Sequence, residues 1–525
     1  MNQAQGNEEM WSSTSSAVRR LKVLIPQISV SLRACKMTGA GPTVGIIIIG
    51  DEILKGQVRD TNSHFLCKKL FGLGVKVHKV AVVPDDLSVI AKEVNDFSGQ
   101  FTHVITSGGI GPTHDDVTFE GVAQAFGDKL HMHPDLVEVI KNYFKTDDIK
   151  SPKFKLANIP STSTLHFPVD KKTGVKGLYP VVNVKNVYIF PGVPRLMENA
   201  FTNLEDLFRN PDIQFHVKEV FLNKDEMTIA EHISKVSEQF KDKVTLGSYP
   251  DFYNSYFKIR LTMESERTEH LEEALKALTE VLPENSIVDY DKDPMGNAVP
   301  RLTSLLSSTE DSQLVKNVKH AAQIIESSLE RYSLDEICVG FNGGKDCTAI
   351  LHLFYAIVKR KFPNENKKIK ALYIRRGQPF PEVELFIKSC VERYNLEILN
   401  FNGRIKESLT EMKTTNPEIK AVVMGTRRSD PYSNHLEGFS ITDKDWPQYM
   451  RVNPILDWSY CDVWAFLRTL CLEYCSLYDR GYTSLGSMEN THPNPDLKKV
   501  DDRGIISYRP AFRLMDSQSE RAGRN

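Results

Sequence analysis

The stretch NGGKDC at residues 342–347 has the residue types of a phosphate-binding loop. An apolar run of strand length, residues 337–341, precedes it, and residues 348–358 carry apolar side chains at helical spacing. Two glycines let the backbone approach an anion closely, and the first N–H groups of a helix point toward that anion. The sequence therefore predicts a strand, a phosphate loop and a helix.

This loop differs from the common ATPase loop, which requires GxxxxGK followed by Ser or Thr. Here Asp346 follows Lys345, and one residue of the loop precedes the glycine pair. A bare Gly-Gly-Lys is also compatible with a structural turn. The strand before it and the long helix after it favour anion binding.

A second loop, GTRRSDP at residues 425–431, also follows a predicted strand and should lie at the same edge of the sheet. Arg427 and Arg428 could clamp a second anionic group, because guanidinium groups match phosphate oxygens. A solvated turn is the alternative for this pair. Asp430 and Asp346 are candidate ligands of a phosphate-bridged magnesium ion, or else caps of a turn or helix.

The composition excludes several classes of protein. With 66 basic and 68 acidic residues the formal net charge is -2, so no nucleic-acid partner is predicted. No apolar run approaches the roughly 20 residues that a membrane span requires. The eight cysteines form no CxxC pair and no zinc-like grouping, which indicates reduced thiols.

The elements that must position these loops follow one repeating order. From residue 43 an apolar strand, a Gly-rich turn and an amphipathic helix alternate, which predicts an α/β fold. The expected fold class is two doubly wound, mostly parallel-sheet domains with a small α+β unit between them. The predicted division is a disordered tail or targeting segment at 1–42, an α/β domain at 43–210, the α+β unit at 211–298 and a second α/β domain at 299–525.

The first segment bears on localisation. Residues 10–50 contain Arg and Lys but no Asp or Glu, a composition typical of transit peptides. Glu8, Glu9 and Pro26 weigh against that interpretation. We expect a cytoplasmic protein, or one of the mitochondrial matrix if residues 1–42 act as a transit peptide.

Five segments of the second α/β domain together resemble the eukaryotic FAD synthase (FMN adenylyltransferase) family, and the resemblance spans roughly residues 320–525. They are FNGGKDCTAILHL, MGTRRSDP, RVNPILDWSYCDVWAFLR, LYDRGYTSLGS and ERAGR. The NGGKDC loop also resembles the SGGxDS pyrophosphate loop of N-type ATP pyrophosphatases and phosphoadenylyl-sulfate reductases, with Asn342 in place of Ser. The resemblance implies adenylyl transfer from MgATP to the phosphate of FMN, giving FAD and pyrophosphate.

The same resemblance implies roles for individual residues. ATP would contact Phe341, Asn342, Gly343, Gly344, Lys345, Asp346, Gly425, Thr426 and Arg427. FMN would contact Arg428, Asp430, Asp457, Trp458, Arg521 and Arg524. The catalytic set would be Asp346, Arg427, Arg428, Asp430, Arg521 and Arg524, with Mg²⁺ on Asp346 and Asp430. Trp446, Trp458 and Trp464 are all candidate flavin platforms, although a Trp in an apolar helix, such as Trp464, usually belongs to the core.

The first α/β domain resembles the molybdopterin-binding family, and most closely its competence/damage-inducible branch, through GDEILKGQVRDTNSHFL, SGGIGPTHDDVT and FPGVP. The candidate site residues are Asp51, Glu52, Asp60, Gly108, Gly109, Gly111, Asp115 and Asp116. Carboxylates beside an anion loop require a metal to mediate. The resemblance implies cleavage of FAD to FMN and AMP with an unidentified divalent metal. A domain retained for stability or regulation is the alternative.

Two other functions are the alternatives for the second α/β domain. A phosphoadenylyl-sulfate reductase needs a nucleophilic Cys near its C-terminus, and no Cys follows Cys475. A catalytically inert flavin carrier would have no use for the ATP loops. ATP and FMN are therefore the expected small-molecule partners, with recipient apo-flavoproteins as further candidates.

Overall fold

The computed structural model describes residues 41–252 and 254–524. The prediction of a tail or targeting segment at 1–42 falls almost wholly outside the described residues. The chain divides into two compact units. Unit 1 comprises residues up to Lys218 with Val236–Thr245 and Met263–Ala277, and unit 2 comprises Glu219–Lys235, Leu246–Thr262 and Leu278–Asn525. The four-part division proposed from sequence stays a prediction.

Unit 1 contains a six-stranded sheet in the order β2-β1-β3-β8-β7-β6 and a separate antiparallel pair, β4 with β5. The strands are β1 (Thr43–Ile49), β2 (Lys76–Val83), β3 (His103–Ser107), β4 (Leu130–Met132), β5 (Asn158–Pro160), β6 (Thr164–His166), β7 (Val181–Val184) and β8 (Val187–Phe190). The helices are α1 (Asp51–Leu54), α2 (Asn62–Gly72), α3 (Leu87–Gln100), α4 (Thr118–Ala125), α5 (Pro134–Phe144) and α6 (Pro194–Leu204).

Strands β2, β1, β3 and β8 are parallel to one another. Strand β7 pairs antiparallel with β8, and β6 pairs antiparallel with β7. Strand β1, TVGIIII, is buried on both faces, as a near-continuous apolar strand of a parallel sheet should be. Residues Ile46 and Ile47 have no solvent exposure. The loops after β1 and β3 consequently leave the sheet at one edge.

The middle segment forms a four-stranded sheet in the order β10-β11-β9-β12. Its elements are β9 (His216–Leu222), α7 (Glu226–Gln239), β10 (Thr245–Pro250), β11 (Ile259–Ser265), α8 (Thr268–Val281) and β12 (Ile287–Val288). Strands and helices are both present, so this segment is α+β, as the sequence predicts.

Unit 2 contains a second six-stranded sheet, in the order β15-β14-β13-β16-β18-β17. The strands are β13 (Ile337–Gly340), β14 (Ile369–Arg375), β15 (Leu396–Asn402), β16 (Ala421–Val423), β17 (Phe439–Ile441), β18 (Met450–Val452), β19 (Lys498–Val500) and β20 (Ile506–Tyr508), the last two forming a separate hairpin. The helices are α9 (Ala298–Ser307), α10 (Gln313–Arg331), α11 (Lys345–Lys361), α12 (Pro381–Arg393), α13 (Ile405–Thr415) and α14 (Tyr460–Thr469).

Five strands of this second sheet are parallel and only the edge strand β17 is antiparallel. Strands β14 and β15 lie on one side of β13, and the chain then returns to place β16 on the other side. The order of the strands therefore reverses between β13 and β16. In open α/β sheets such a switch point creates a crevice at the carboxyl edge, where ligands bind.

Helix α11 fixes the loop that follows β13. Residues Ile350 and Leu351 have no solvent exposure, and Leu353 and Phe354 are each 1% exposed. A helix held this firmly in a close-packed core keeps its first turn in place. The predicted fold class is confirmed, with a mostly parallel sheet in each unit.

Candidate functional site

A cavity of about 550 Å³ lies at the switch point of unit 2. Of the residues predicted from sequence, those that line it are Phe341, Asn342, Gly344, Lys345, Asp346, Gly425, Thr426, Asp430 and Arg521. The loops after β13 and β16 and the C-terminal segment thus meet at one place. Apolar side chains add a further wall, namely Leu372, Ile374, Ile405, Leu409, Val422, Met424, Trp446, Tyr449 and Leu485.

The loop after β13 is held by hydrogen bonds within the protein. Gly343 has a φ of +75°, in the left-handed region that favours glycine. The side-chain oxygen of Asn342 accepts a hydrogen bond from the Gly344 amide at 3.0 Å. The Tyr478 hydroxyl accepts one from the Lys345 amide at 2.8 Å. The first turn of α11 therefore begins in a fixed geometry at the cavity.

Two basic and two acidic side chains form a buried charge cluster beneath this loop: Lys345, Asp346, Arg427 and Glu520. The Lys345 ammonium lies 3.0 Å from Asp346 and 2.5 Å from Glu520. The Arg427 guanidinium lies 2.7 Å from Asp346 and 2.6 Å from Glu520. Lys345 is 1% exposed and Arg427 is 2% exposed. Buried charges are tolerated when they are paired in this way.

The cluster sets the charge of Asp346. Burial opposes ionisation of this carboxyl group, but the charges of Lys345 and Arg427 outweigh burial and hold its pKa below the ordinary value. Asp346 is therefore a carboxylate at neutral pH.

The structure places both arginines of the predicted clamp against carboxylates of the protein. Arg427 lies outside the lining of the cavity, because its guanidinium is taken up by Asp346 and Glu520. Arg428 forms an ion pair with Asp457 and donates to the carbonyl oxygen of Leu436 at 3.1 Å. Adjacent residues of a loop project in different directions, so neither guanidinium is presented to the cavity. Asp457 likewise lies outside the cavity lining.

Arg521 and Asp430 are brought together from distant parts of the sequence. The Arg521 guanidinium donates to Asp430 Oδ1 at 2.8 Å, while Asp430 Oδ2 accepts from the Arg427 amide at 2.9 Å. Asp430 thus links the loop after β16 to the C-terminal segment. Arg524 packs instead against Gly486, where a β-carbon would stand 2.4 Å from its guanidinium carbon.

Trp458, which was predicted to contact the flavin, is a buried side chain. Its side chain is 4% exposed and packs against Phe466, with ring centroids 5.3 Å apart. Trp464 is also buried, as expected for its helix. Trp446 lines the cavity and is therefore the candidate aromatic platform of the three.

The residues expected to hold Mg²⁺ fit it unequally. Asp346 lines the cavity, with its Oδ1 2.7 Å from Arg427 Nε and its Oδ2 3.0 Å from the Lys345 ammonium. Both oxygens of Asp430 accept hydrogen bonds. Mg²⁺ is usually bound through one or two carboxylates together with substrate phosphates. Asp346 lies in the NGGKD loop, where the ATP phosphates are expected, and would exchange one of its partners for the metal.

In unit 1 the two glycine-rich loops pack against each other. Gly108 and Gly109 have φ values of +112° and +62°, and a β-carbon at residue 108 would stand 2.0 Å from the carbonyl oxygen of Ile49. Asp116 Oδ2 accepts a hydrogen bond from the Thr113 amide at 2.9 Å and lies against Gly111. The loop geometry is thus specified by glycine and by Asp116.

The predicted carboxylate cluster of unit 1 does not form a metal site. Among residues 41–252 and 254–524, no three His, Cys, Asp or Glu side chains come close enough together to hold a metal ion. Asp51 is paired with Lys55 at 2.7 Å, and Asp60 accepts from the Ser63 amide at 3.0 Å. Glu52 and Asp115 complete no such group. The residues as placed do not fit the expected divalent metal.

The residues at these sites that were missed from the sequence include Glu520, Tyr478, Asp85, Asn62 and two arginines that line the cavity, Arg376 and Arg451. Glu520 and Tyr478 belong to the segments ERAGR and LYDRGYTSLGS, so these motifs carry a signal for both residues. Asp85 accepts from the Asp51 amide at 2.9 Å, and burial raises its pKa, with the charge of Glu52 adding to the effect. Asn62 is 6% exposed and donates to Ser107 and Gly192, contacts that no local pattern predicts.

The fold and the cavity of unit 2 define a nucleotide-binding α/β protein, and three family models match parts of the chain. Residues 336–493 match the phosphoadenosine phosphosulfate reductase domain. Residues 45–209 match the probable molybdopterin binding domain, and residues 214–291 match the middle domain of FAD synthase.

Relatives extend the match to nearly the whole chain. A probable FAD synthase of Caenorhabditis briggsae is 40% identical over 510 residues, covering 93% of this chain and 97% of the relative. A probable FAD synthase of Caenorhabditis elegans is 39% identical over 505 residues, covering 92% and 97%. The crystal structure of Candida glabrata FMN adenylyltransferase with FMN and the ATP analogue AMPCPP is 26% identical, covers 44% of this chain and 99% of that one, and has a TM-score of 0.40. This chain belongs to the FAD synthase family, which confirms the resemblance seen in its motifs.

Proposed function

We propose that unit 2 transfers the adenylyl group of ATP to the phosphate of FMN, producing FAD and pyrophosphate. The observation that carries this proposal is the cavity at the switch point, where the NGGKD loop, Thr426 and Arg521 line one space. The family membership of the chain supports the same reaction.

The reaction requires little covalent chemistry from the protein. An oxygen of the FMN phosphate attacks the α-phosphorus of ATP, a new P–O bond forms, and the bond to the β-phosphate oxygen breaks with release of pyrophosphate. The second pKa of a phosphate monoester is about 6, so FMN brings an oxyanion nucleophile at neutral pH. The task of the protein is alignment and charge neutralisation.

The residues of unit 2 are placed for that task. Lys345 and the amides at the start of α11 would hold the ATP phosphates, because the N-terminal end of a helix favours anions. Arg521, which lies at the cavity and is fixed by Asp430, would neutralise charge on a phosphate. The apolar wall with Trp446 would take a planar ring.

A divalent metal completes this proposal. Mg²⁺ bound with ATP would neutralise charge on the phosphates and would be met by Asp346. Asp430 would mainly link the loop after β16 to Arg521 through its two hydrogen bonds.

The direct test is product analysis with the purified full chain, FMN and MgATP. We expect FAD and pyrophosphate in equal amounts, and loss of both on Asp346→Ala. Asp502→Ala, an exposed residue of the β19–β20 hairpin, is the matched control and should retain activity. A wild-type chain that binds FMN and ATP but forms no FAD would contradict the proposal and support the inert carrier.

Hydrolysis of FAD by unit 1, delivery of FAD to apo-flavoproteins and the cytoplasmic or mitochondrial location stay predictions. The hydrolase is tested by incubating the chain with FAD and each of several divalent metals and measuring AMP. The comparison variant is Asp85→Asn, since Asp85 lies beside the Asp51 amide. AMP release that Asp85→Asn leaves unchanged would exclude this edge of unit 1 as the source.

A further inference from the structure

The C-terminal segment supplies a carboxylate, Glu520, to the charge cluster beside the cavity. Glu520 is 8% exposed and accepts from the Lys345 ammonium at 2.5 Å. Its two oxygens also accept from Arg427 Nη2, at 2.6 and 2.7 Å. Glu520 does not itself line the cavity, whereas Lys345 does. Glu520 can therefore act on a ligand in the cavity through Lys345, and its second partner, Arg427, pairs with Asp346, which also lines the cavity.

Glu520 is anchored by its own backbone. The Thr483 hydroxyl donates to the carbonyl oxygen of Glu520 at 2.6 Å, and the Asn494 amide donates to the carbonyl oxygen of Ser519 at 2.8 Å. Asn494 also donates to the Thr483 hydroxyl at 3.0 Å. Asn494 and Thr483 are 0% and 1% exposed. These hydrogen bonds from Thr483 and Asn494 fix the backbone that carries the Glu520 carboxylate.

The contact between Glu520 and Lys345 affects how the Lys345 ammonium can meet a substrate, because the ammonium has a limited number of N–H donors. A lysine ammonium has three N–H donors and no acceptor. Asp346 takes one donor and Glu520 takes another. One donor remains after these two contacts; Lys345 lines the cavity, and its Nζ also lies 5.1 Å from the centroid of the Tyr460 ring. The two carboxylates constrain the direction of that donor.

We propose that Glu520 is a positioning residue for the adenylyl transfer, which orients the Lys345 ammonium toward a substrate phosphate. This inference rests on the function proposed above for unit 2. The two charges of Lys345 and Arg427 balance those of Asp346 and Glu520. Loss of the Glu520 charge leaves the ammonium without one of its two fixed partners, so the reacting phosphate is held less well.

The test is a double-mutant cycle with full-length chains carrying Glu520→Gln, Lys345→Met and both changes. We expect Glu520→Gln to lower kcat about 100-fold, the size of effect that a misplacement of about 1 Å produces, with the KM for ATP unchanged. In the Lys345→Met background, Glu520→Gln should have no further effect, because residues acting as one unit are not additive. Effects on kcat that multiply, or a normal kcat for Glu520→Gln, would overturn the proposal.

Glu473→Gln is the matched control. Glu473 also forms an ion pair with an arginine, Arg393, but its side chain is 66% exposed and it lies outside the cavity lining. Its variant should keep the wild-type kcat. If Glu520→Gln does not fold, as judged by circular dichroism and thermal melting, the same cycle is run with Glu520→Asp, which keeps the charge on a shorter side chain. The wild type in this series separates the two proposals, since absence of FAD from it refutes the function itself.

Discussion

Gly425 lies against the first turn of α11 so closely that a β-carbon at residue 425 would stand 2.9 Å from the Cys347 nitrogen. The same β-carbon would stand 3.0 Å from the carbonyl carbon of Asp346. The loop after β16 therefore touches the backbone of the NGGKD loop directly. This contact sets the distance between the two loops.

Gly425→Ala should consequently push these loops apart. The neighbouring atoms belong to a buried helix backbone that cannot yield easily, so we expect a loss of about 1–3 kcal/mol in the free energy of unfolding. FAD formation should fall roughly 100-fold through misplacement of the loops. Urea unfolding and steady-state rates measure the two effects.

Gly99→Ala is the control for this change. Gly99 stands in helix α3, and a β-carbon there would meet nothing within 4 Å. Alanine favours a helix over glycine, so this variant should be as stable as the wild type or slightly more stable. Full activity of Gly425→Ala would show that the close contact has no role.

Arg521→Ala should lower kcat by about 100 to 1,000-fold, by analogy with loss of one donor to a developing oxyanion. Arg521 is the predicted arginine that both lines the cavity and is fixed, through Asp430. Arg503→Ala, in the exposed turn of the β19–β20 hairpin, removes the same charge elsewhere and should leave kcat unchanged. Equal kcat values for Arg521→Ala and Arg503→Ala would remove Arg521 from the site.

The same substitution should change substrate binding at Trp446 and protein stability at Trp458. Trp446→Leu should raise the KM for one of the ring-bearing substrates about 10-fold, because base stacking on an aromatic side chain is worth roughly 1–3 kcal/mol. Trp458→Leu should lower stability by about 2 kcal/mol with little change in KM, because Trp458 is a core residue. A large KM effect at Trp458 would restore the role first predicted for it.

The stability of unit 2 should fall in mild acid through His352. Burial lowers the pKa of His352 to about 3. Between the unfolded pKa of about 6.5 and this value, the unfolded chain binds a proton that the folded chain excludes, so stability decreases as the pH falls. The contribution is about 1.4 kcal/mol per pH unit.

His352→Gln removes this titration. Urea unfolding followed by tryptophan fluorescence at about pH 6 and about pH 5 should show a smaller loss of stability for the variant than for the wild type. Three of the four tryptophans of the chain, Trp446, Trp458 and Trp464, lie in unit 2, so this signal reports mainly on that unit. His320→Gln, an exposed position on α10, should lose as much stability as the wild type. Identical pH dependence in all three chains would exclude His352 as the cause.

Local sequence patterns were sufficient to predict the strands, the helices and the loops between them. The apolar run at 337–341 predicted a strand and the helical spacing at 348–358 predicted a helix, and the structure has them at Ile337–Gly340 and Lys345–Lys361. These patterns are local because the faces of a strand or helix repeat along the chain with a fixed period.

The direction of individual side chains was not available from the same patterns. The pair Arg427 and Arg428 reads as one clamp, yet each guanidinium finds a different carboxylate, from Glu520 and from Asp457. The tail segment ERAGR directed attention to its arginines, while its Glu520 makes the deeper contacts. In unit 1 the acidic residues of three loops were expected to converge on a metal, and they pair locally instead.

The sequence by itself determined the fold class, the NGGKDC and GTRRSDP loops of unit 2 and the FAD synthase family. The reason is that hydrophobic periodicity, loop composition and motifs are properties of contiguous residues. Only the tertiary structure decided which charges meet: Lys345 and Glu520 are 175 residues apart in the chain and 2.5 Å apart in space. Burial then decides their role, because a charge removed from water must find a partner of opposite sign wherever the fold provides one.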